Sequence, residues 1–235
     1  MTYVMSDIHG NARRFNSIME QIDLQLEDTL YVLGDVIDRY PDGIQILRRL
    51  MRMPNVKMLL GNHEDMMLKS FSDIDDLEPT RKILHWYRNG GQVTHDALAR
   101  LRTAERRDIF DYLRSLPVNI DVEVNGKAYK LVHGAPVERY ADDGAGYDSP
   151  EEFAAWYRLD PAEPELDGMT VIFGHTPTEW YQENDPLEIW YSPKGGRVGI
   201  DCGCGYPTVK VGSPQKHGRL ACLRLDDRKV FYSEI

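Results

Sequence analysis

Five short apolar runs, each closing on a residue able to bind a cation, constrain this chain more than any other feature. Tyr3-Val4-Met5 leads to Asp7 and His9, and Tyr31-Val32-Leu33-Gly34 to Asp35. Val56-Lys57-Met58-Leu59-Leu60-Gly61 leads to Asn62, Tyr129-Lys130-Leu131-Val132 to His133, and Val171-Ile172-Phe173-Gly174 to His175. Runs of this length, rich in β-branched and aromatic residues, read as buried strands. In open α/β sheets the loops at the carboxyl ends of strands converge on one crevice. Residues far apart in the chain are therefore expected as neighbours in space. Their donors are carboxylate and amide oxygens with imidazole nitrogens, a mixture suited to manganese, iron, zinc, nickel or related divalent ions rather than to calcium.

Strand and helix alternate from residue 2 to 70, which implies βαβ units and a parallel sheet. The helix after Gly10 carries Phe15, Ile18, Met19 and Ile22 at helical spacing, and the next, over 42 to 52, runs through Ile44, Leu47 and Leu50 or Met51. Residues 71 to 116 read as a mainly helical insert around Ile83, Trp86, Leu98, Leu101, Ile109 and Leu113, a candidate cap. The second half changes character. Two apolar stretches meet at Asn125-Gly126, and two more meet at Asp226-Asp227-Arg228, both hairpin signatures. Loops rich in Gly, Pro and polar residues are expected at 138 to 149, 160 to 169, 192 to 197 and 203 to 218.

With 235 residues, 42% of them hydrophobic, the chain is long enough for a substantial core, and no linker divides it, so one domain over 1–235 is expected. No apolar stretch approaches the ~20 residues that span a bilayer, and Met1–Gly10 lacks a signal-peptide pattern. Cys202, Cys204 and Cys222 are odd in number, which fits a reducing compartment, and a cytoplasmic protein is the natural expectation. A net charge of −10 argues against binding along a nucleic-acid backbone.

Each motif alone has a bland reading. Asp7-Ile8-His9-Gly10-Asn11 could be a strand exit capping the next helix, Gly34 to Arg39 a turn, and Gly61 to Glu64 another helix start. Their joint occurrence is what argues for a site. His85, His95 and His217 have no comparable setting and read as surface or packing residues. Asn89-Gly90-Gly91 reads as a helix terminator.

Asp7-x-His9, Gly34-Asp35-x-x-Asp38-Arg39, Gly61-Asn62-His63-Glu64, His133-Gly134 and Gly174-His175, in that order, resemble the phosphoprotein phosphatase branch of the calcineurin-like metallophosphoesterases. Trp86-Tyr87-Arg88-Asn89-Gly90-Gly91, Phe173-Gly174-His175-Thr176-Pro177 and Ile200-Asp201-Cys202-Gly203 narrow this to the small bacterial and phage protein phosphatases. The similarity spans residues 2 to about 225. It implies an α/β fold of two packed sheets, a β-sandwich flanked by helices.

The resemblance also implies roles. Asp7 and His9 would hold a first divalent metal, Asn62, His133 and His175 a second, and Asp35 would bridge both, with manganese foremost among the candidate ions. Arg39, Asn62 and Arg158 would bind phosphate. A hydroxide bridging the metals would attack, and His63, oriented by Asp38, would protonate the leaving oxygen. Physics supports these roles independently. A guanidinium grips phosphate with a planar fork of donors. Protonating a poor alkoxide leaving group contributes roughly 100- to 10,000-fold.

Two departures stand out. Tyr40 and Pro41 follow Arg39 where the family has glycine, which predicts a stiffer loop, and His133-Gly134-Ala135-Pro136 replaces the His-Gly-Gly of animal enzymes. The expected activity is protein serine/threonine phosphatase, acting on a phosphorylated protein or peptide, with phosphotyrosine activity also within reach. The alternative is a symmetrical diadenosine tetraphosphate hydrolase, a dinucleoside polyphosphate enzyme sharing the metal motifs and a Gly-Cys followed by a segment like Gly218 to Leu225. A binding module that kept the fold without catalysis is the reading from another class, and retention of His63 and Arg39 argues against it.

Overall fold

The computed structural model describes residues 1–163, 165–166, 168–206 and 217–234. The amino-terminal part runs β1 (Thr2–Met5), α1 (Ala12–Ile22), β2 (Thr29–Val32), α2 (Gly43–Leu50), β3 (Val56–Met58) and α3 (Asn62–Lys69). Helix α1 starts where the Asn11 side chain accepts a hydrogen bond from the Arg14 amide, and it buries Phe15, Ile18, Met19 and Ile22. Helix α2 buries Ile44, Ile46, Leu47 and Leu50 and stops at Leu50, two residues before its predicted end.

The insert opens with a small hairpin, β4 (Phe71–Asp73) and β5 (Glu78–Pro79), followed by α4 (Ile83–Arg88), α5 (Gln92–Ala99) and α6 (Thr103–Arg114). Sequence periodicity did not reveal the hairpin. It is held by Phe71, a buried ring set edge-on to Trp86 at 5.7 Å and to Phe110 at 6.0 Å. Nor is the insert a detached cap. Trp86, Leu98, Ile109, Phe110 and Leu113 share one core with Ile18, Leu47, Met66 and Met67.

The rest of the chain supplies β6 (Asn119–Val124), β7 (Lys127–Val132), α7 (Tyr140–Asp143), α8 (Pro150–Trp156), β8 (Thr170–Phe173), β9 (Trp190–Tyr191), β10 (Arg197–Gly199), β11 (Ala221–Arg224) and β12 (Val230–Tyr232). Strands β6 and β7 pair from Asn119↔Val132 to Val124↔Lys127. Asn125 and Gly126 turn between them at φ 51° and 73°, the positive angles a two-residue hairpin loop needs. The loop expected over 138 to 149 contains the short helix α7. The loops expected over 160 to 169 and 203 to 218 fall partly outside the described residues.

Two five-stranded sheets result, ordered β12-β11-β1-β2-β3 and β6-β7-β8-β10-β9. Strands β1, β2 and β3 are parallel, with β11 antiparallel to β1 and β12 to β11, and β7, β8 and β10 are parallel, with β6 and β9 antiparallel at the two edges of that sheet. Strand alternation sorts the side chains into layers. Tyr3, Met5, Leu30 and Val32 face the helices, while Val4, Tyr31 and Leu33 meet Tyr129, Leu131, Ile172 and Val198 between the sheets. On the outer face of the second sheet, Val132, Val171 and Phe173 pack against Phe153 of α8. The expected two-sheet sandwich flanked by helices is what forms. Among the described residues no helix is long and apolar enough to cross a membrane.

Candidate metal centre

Asp7 and His9 follow β1, Asp35 follows β2, and Asn62 opens α3 just past β3. His133 follows β7 and His175 follows β8. All six are buried. The exits are sharp: Asp7, His9, Asp35, Asp38, Arg39 and His175 have φ between 50° and 71°. Such left-handed backbone is unfavourable for residues with a Cβ, by roughly 1–2 kcal/mol each. It persists only where surrounding bonds over-determine it, and it clusters at functional sites.

The glycines of the motifs make room for this. A Cβ at Gly174 would lie 2.1 Å from Ser6 Oγ and 2.3 Å from Asp7 Oδ2, and one at Gly61 would lie 2.4 Å from the Asp35 amide nitrogen. Any side chain there would push the strand ends apart.

Asp35 sits at the middle. Its Oδ1 accepts the His63 amide N–H at 3.0 Å and lies 3.3 Å from His133 Nε2. Its Oδ2 faces the other way, 3.7 Å from His9 Nε2 and 3.8 Å from His63 Nε2. Two groups thus share this one carboxylate: His9, Asp35 and His63 on one side, and Asp35, His133 and His175 on the other, each with ligand atoms within 4.8 Å of one another. Asp7 approaches His9 Nε2 at 3.9 Å and also accepts the His175 amide N–H, but it lies outside the tighter first group, which holds His63 instead.

Three imidazoles have their tautomers set by main-chain carbonyls. His133 Nδ1 donates to Leu33 O at 2.7 Å, His175 Nε2 to Trp156 O at 2.9 Å, and His9 Nδ1 to Ile37 O at 3.2 Å. The opposite nitrogen of each ring is left with a lone pair directed inward. His133 Nε2 and His175 Nδ1 then stand 2.9 and 2.8 Å from Asn62 Oδ1. Three acceptors facing one another without a proton between them repel unless a cation lies among them. The donor set therefore fits a bound metal ion.

Charge follows from burial. His9 is held well below the ordinary imidazole range, first by burial and then by the Arg39 and His63 charges. His175 is lowered the same way, by burial and by His133. Burial works against an ionised Asp35, yet the imidazoles around it, His133 foremost, hold its carboxyl below the usual range.

His63 is different. Its Nδ1 donates to Asp38 Oδ2 at 2.7 Å, and Arg39 Nη2 reaches its Nε2 at 3.3 Å. Burial lowers its pKa, but the Asp35 charge and the Asp38 bond outweigh burial and raise it. Arg158 lies at the rim, exposed, with its guanidinium donating to His175 O at 2.8 Å and stacked 5.2 Å from the centroid of the Trp180 ring. The Tyr40 hydroxyl donates to the Tyr206 carbonyl at 2.8 Å, tying down the loop beside Arg39.

Several neighbours escaped sequence reasoning. Buried Glu64 accepts the amide N–H groups of Asp35 and Val36, both at 2.9 Å, and so caps the strand exit. Burial and the Asp35 charge push its pKa up to about 7. Asp201 is buried near Asp7 and pushed well above the carboxylate range, first by burial and then by Asp7. Trp86 Nε1 donates to Asp38 Oδ2 at 2.7 Å, and Thr94 Oγ1 accepts the Asp38 N–H at 3.0 Å. Glu64, Trp86 and Asp201 lie inside the quoted motifs, but no spacing rule says what each would orient.

Comparison with known proteins adds to this geometry. Residues 2–196 match the family model described as Metallophos, calcineurin-like phosphoesterase. The chain is 26% identical over 191 residues to a symmetrical bis(5'-nucleosyl)-tetraphosphatase of Paracidovorax citrulli, covering 80% of this chain but only 61% of that protein's length. It is 29% identical over 184 residues to serine/threonine-protein phosphatase 2 of Salmonella typhimurium, covering 74% of this chain and 78% of that one. A solved structure provisionally described as a diadenosine tetraphosphatase superposes with a TM-score of 0.63 at 20% identity, over 98% of this chain and 91% of that chain, a likeness of fold alone.

Proposed function

This chain belongs to the calcineurin-like phosphoesterase family, and on that ground we propose that it is a metal-dependent phosphomonoesterase acting on phosphoserine and phosphothreonine in proteins. One observation carries the metal-dependent part: inward lone pairs of His9, His133 and His175, with their opposite nitrogens committed to carbonyls, surround a carboxylate that offers one oxygen to each side. Asp7 and His9 would hold one divalent ion, Asn62, His133 and His175 the other, and Asp35 both, with manganese the first metal to try. Bound there, two such ions would offset phosphoryl charge and make hydroxide available at neutral pH.

The chain's own groups do the rest. Arg39 overhangs His63 and grips phosphate oxygens with a charge it cannot lose. Arg158, anchored to the His175 carbonyl, holds the phosphate from the rim, and the Asn62 amide contributes a further contact. His63 carries a proton on Nε2 to the leaving oxygen while its Nδ1–H stays on Asp38. Positioning and charge compensation dominate phosphoryl transfer, so no nucleophilic Ser or Cys is assigned. Cys202, Cys204 and Cys222 are buried and free.

What supports a protein substrate is the match to the Salmonella typhimurium phosphatase, which runs over most of both chains. The match to the tetraphosphatase, longer on this chain, supports a second reading, symmetrical hydrolysis of a dinucleoside polyphosphate. Manganese-reconstituted protein assayed side by side on a phosphoserine peptide, a phosphotyrosine peptide and diadenosine tetraphosphate tests both. Highest kcat/KM on the phosphoserine peptide is expected. Preference for the dinucleotide would replace the first reading with the second, and inactivity on all three would leave a phosphate-binding module.

A further inference from the structure

Asp38 and Arg39 are consecutive residues in left-handed backbone, φ 71° and 69°, a conformation neither side chain favours. The helical insert holds them there. Thr94 Oγ1 accepts the Asp38 N–H at 3.0 Å and the Gly90 carbonyl accepts the Arg39 N–H at 3.1 Å, while Trp86 Nε1 donates to the Asp38 carboxylate at 2.7 Å. Trp86 is fully buried, edge-on to Phe71, and a Cβ at Gly91 would lie 2.4 Å from its ring. The indole therefore has little room to turn.

The Asp38 carboxylate is unevenly used. Oδ2 takes both the indole N–H and the His63 Nδ1–H, each at 2.7 Å, while buried Oδ1 has no hydrogen-bond partner among the described residues. With the indole in place, only one carboxylate orientation satisfies both donors. Without it, the His63 bond alone would hold the carboxylate group, which could then rotate and present either oxygen to the imidazole, and the imidazole would lose its fixed direction. A tryptophan serving only as core would need some acceptor for its N–H, but not the one that orients His63.

We propose that Trp86 is a positioning residue for phosphoester cleavage, its indole N–H fixing the Asp38 carboxylate and thereby the direction in which His63 Nε2 presents its proton. This rests on the reading of His63 as the acid for the leaving group. In that step hydroxide attacks phosphorus, the bond from phosphorus to the leaving oxygen breaks, and the His63 Nε2 proton passes to that oxygen, leaving a neutral imidazole still bonded to Asp38.

The test uses the manganese-loaded enzyme with p-nitrophenyl phosphate, whose leaving group needs little protonation, and phenyl phosphate, whose leaving group needs more. In Trp86→Phe, kcat/KM on phenyl phosphate should fall about tenfold further than on p-nitrophenyl phosphate. In an Asp38→Asn background the same change should add no further bias, because Trp86 acts through Asp38. Equal losses on both substrates, or an additive bias in the double variant, would overturn the proposal. Should Trp86→Phe misfold, benzothienylalanine at position 86 keeps the shape and removes the N–H, and the same two outcomes apply. His63→Asn separates the two levels. No leaving-group bias there removes the acid reading and the Trp86 role with it, while bias there but not in the Trp86 variants removes the Trp86 role alone.

Discussion

The region around His133 and His175 and the region around His63 use the same side chain in opposite ways. In the first, the outer nitrogen of each ring donates to a neutral carbonyl, of Leu33 or of Trp156. Burial then disfavours a positive ring, as the lowered pKa of His175 records. In the second, the outer nitrogen donates to the Asp38 carboxylate, and the ring's pKa is raised in spite of equal burial. A carbonyl partner leaves the ring's other nitrogen with a lone pair facing inward, whereas at His63 the Asp35 charge and the Asp38 bond together favour the protonated ring. His9 and His63, with ring centroids only 4.7 Å apart, are thus differentiated by their second contacts, the Ile37 carbonyl for one and the Asp38 carboxylate for the other, not by their distance from the centre.

The severest way to break that comparison is Asp35→Asn, which removes the charge both regions share. Elemental analysis should find both ions weakened, and turnover should drop by more than about a thousandfold. Two tightly bound ions in this variant would mean the carboxylate is not common to the two sides. Next comes His63→Asn, expected to lower turnover of alkyl phosphates by about 100- to 10,000-fold while leaving metal content intact. Loss of metal from it would place His63 with the ligands and erase the distinction. Because its pKa is raised, the protonated form is present below that pKa, and the activity it supports should fade as pH rises through it.

A smaller effect is expected from Asn62→Ala, which touches only the His133 and His175 side. One ion should bind about 10- to 100-fold more weakly and the other should be retained, as competition with a chelator would report. Smallest is Glu64→Gln, which replaces one acceptor oxygen facing the Asp35 and Val36 amides with an NH2 group. The metal-free protein should lose about 1–3 kcal/mol in urea unfolding. The pH sign follows from its pKa, raised from 4.5 to about 7 in the folded state. The folded protein holds this proton more tightly, so its contribution is full below 4.5 and is lost as pH rises through about 7. Glu64→Gln should flatten that part of the stability curve, and an unchanged slope would assign it to Asp7 or Asp201.

Much of the fold and of the candidate site was legible beforehand because the candidate residues fall at strand ends. Apolar runs of a few residues followed by Asp7, Asp35 or His175 report both the strand and the place where it stops. The Asn125-Gly126 hairpin and the stripe of Phe15, Ile18, Met19 and Ile22 were readable for the same reason, a local rule acting within a few residues. The hairpin at Phe71–Asp73 and Glu78–Pro79 was not, since its pairing depends on Phe71 finding Trp86 and Phe110. Likewise, the insert's helices were foreseeable but their merger with the first core was not.

Amino-acid order alone was enough for the strands and helices of the first half and for the residue types of the candidate centre, because hydrophobic periodicity and short motifs are local properties, while the two-sheet architecture was legible through the family resemblance those motifs carry. Which nitrogen of each histidine faces inward, which oxygen of Asp35 serves which side, and the grip of Trp86, Gly90 and Thr94 on Asp38 and Arg39 were decided only by packing. Those contacts join groups up to 113 residues apart, as His175 and Asn62 are, and hydrogen-bond direction across such separations is set by how whole elements meet.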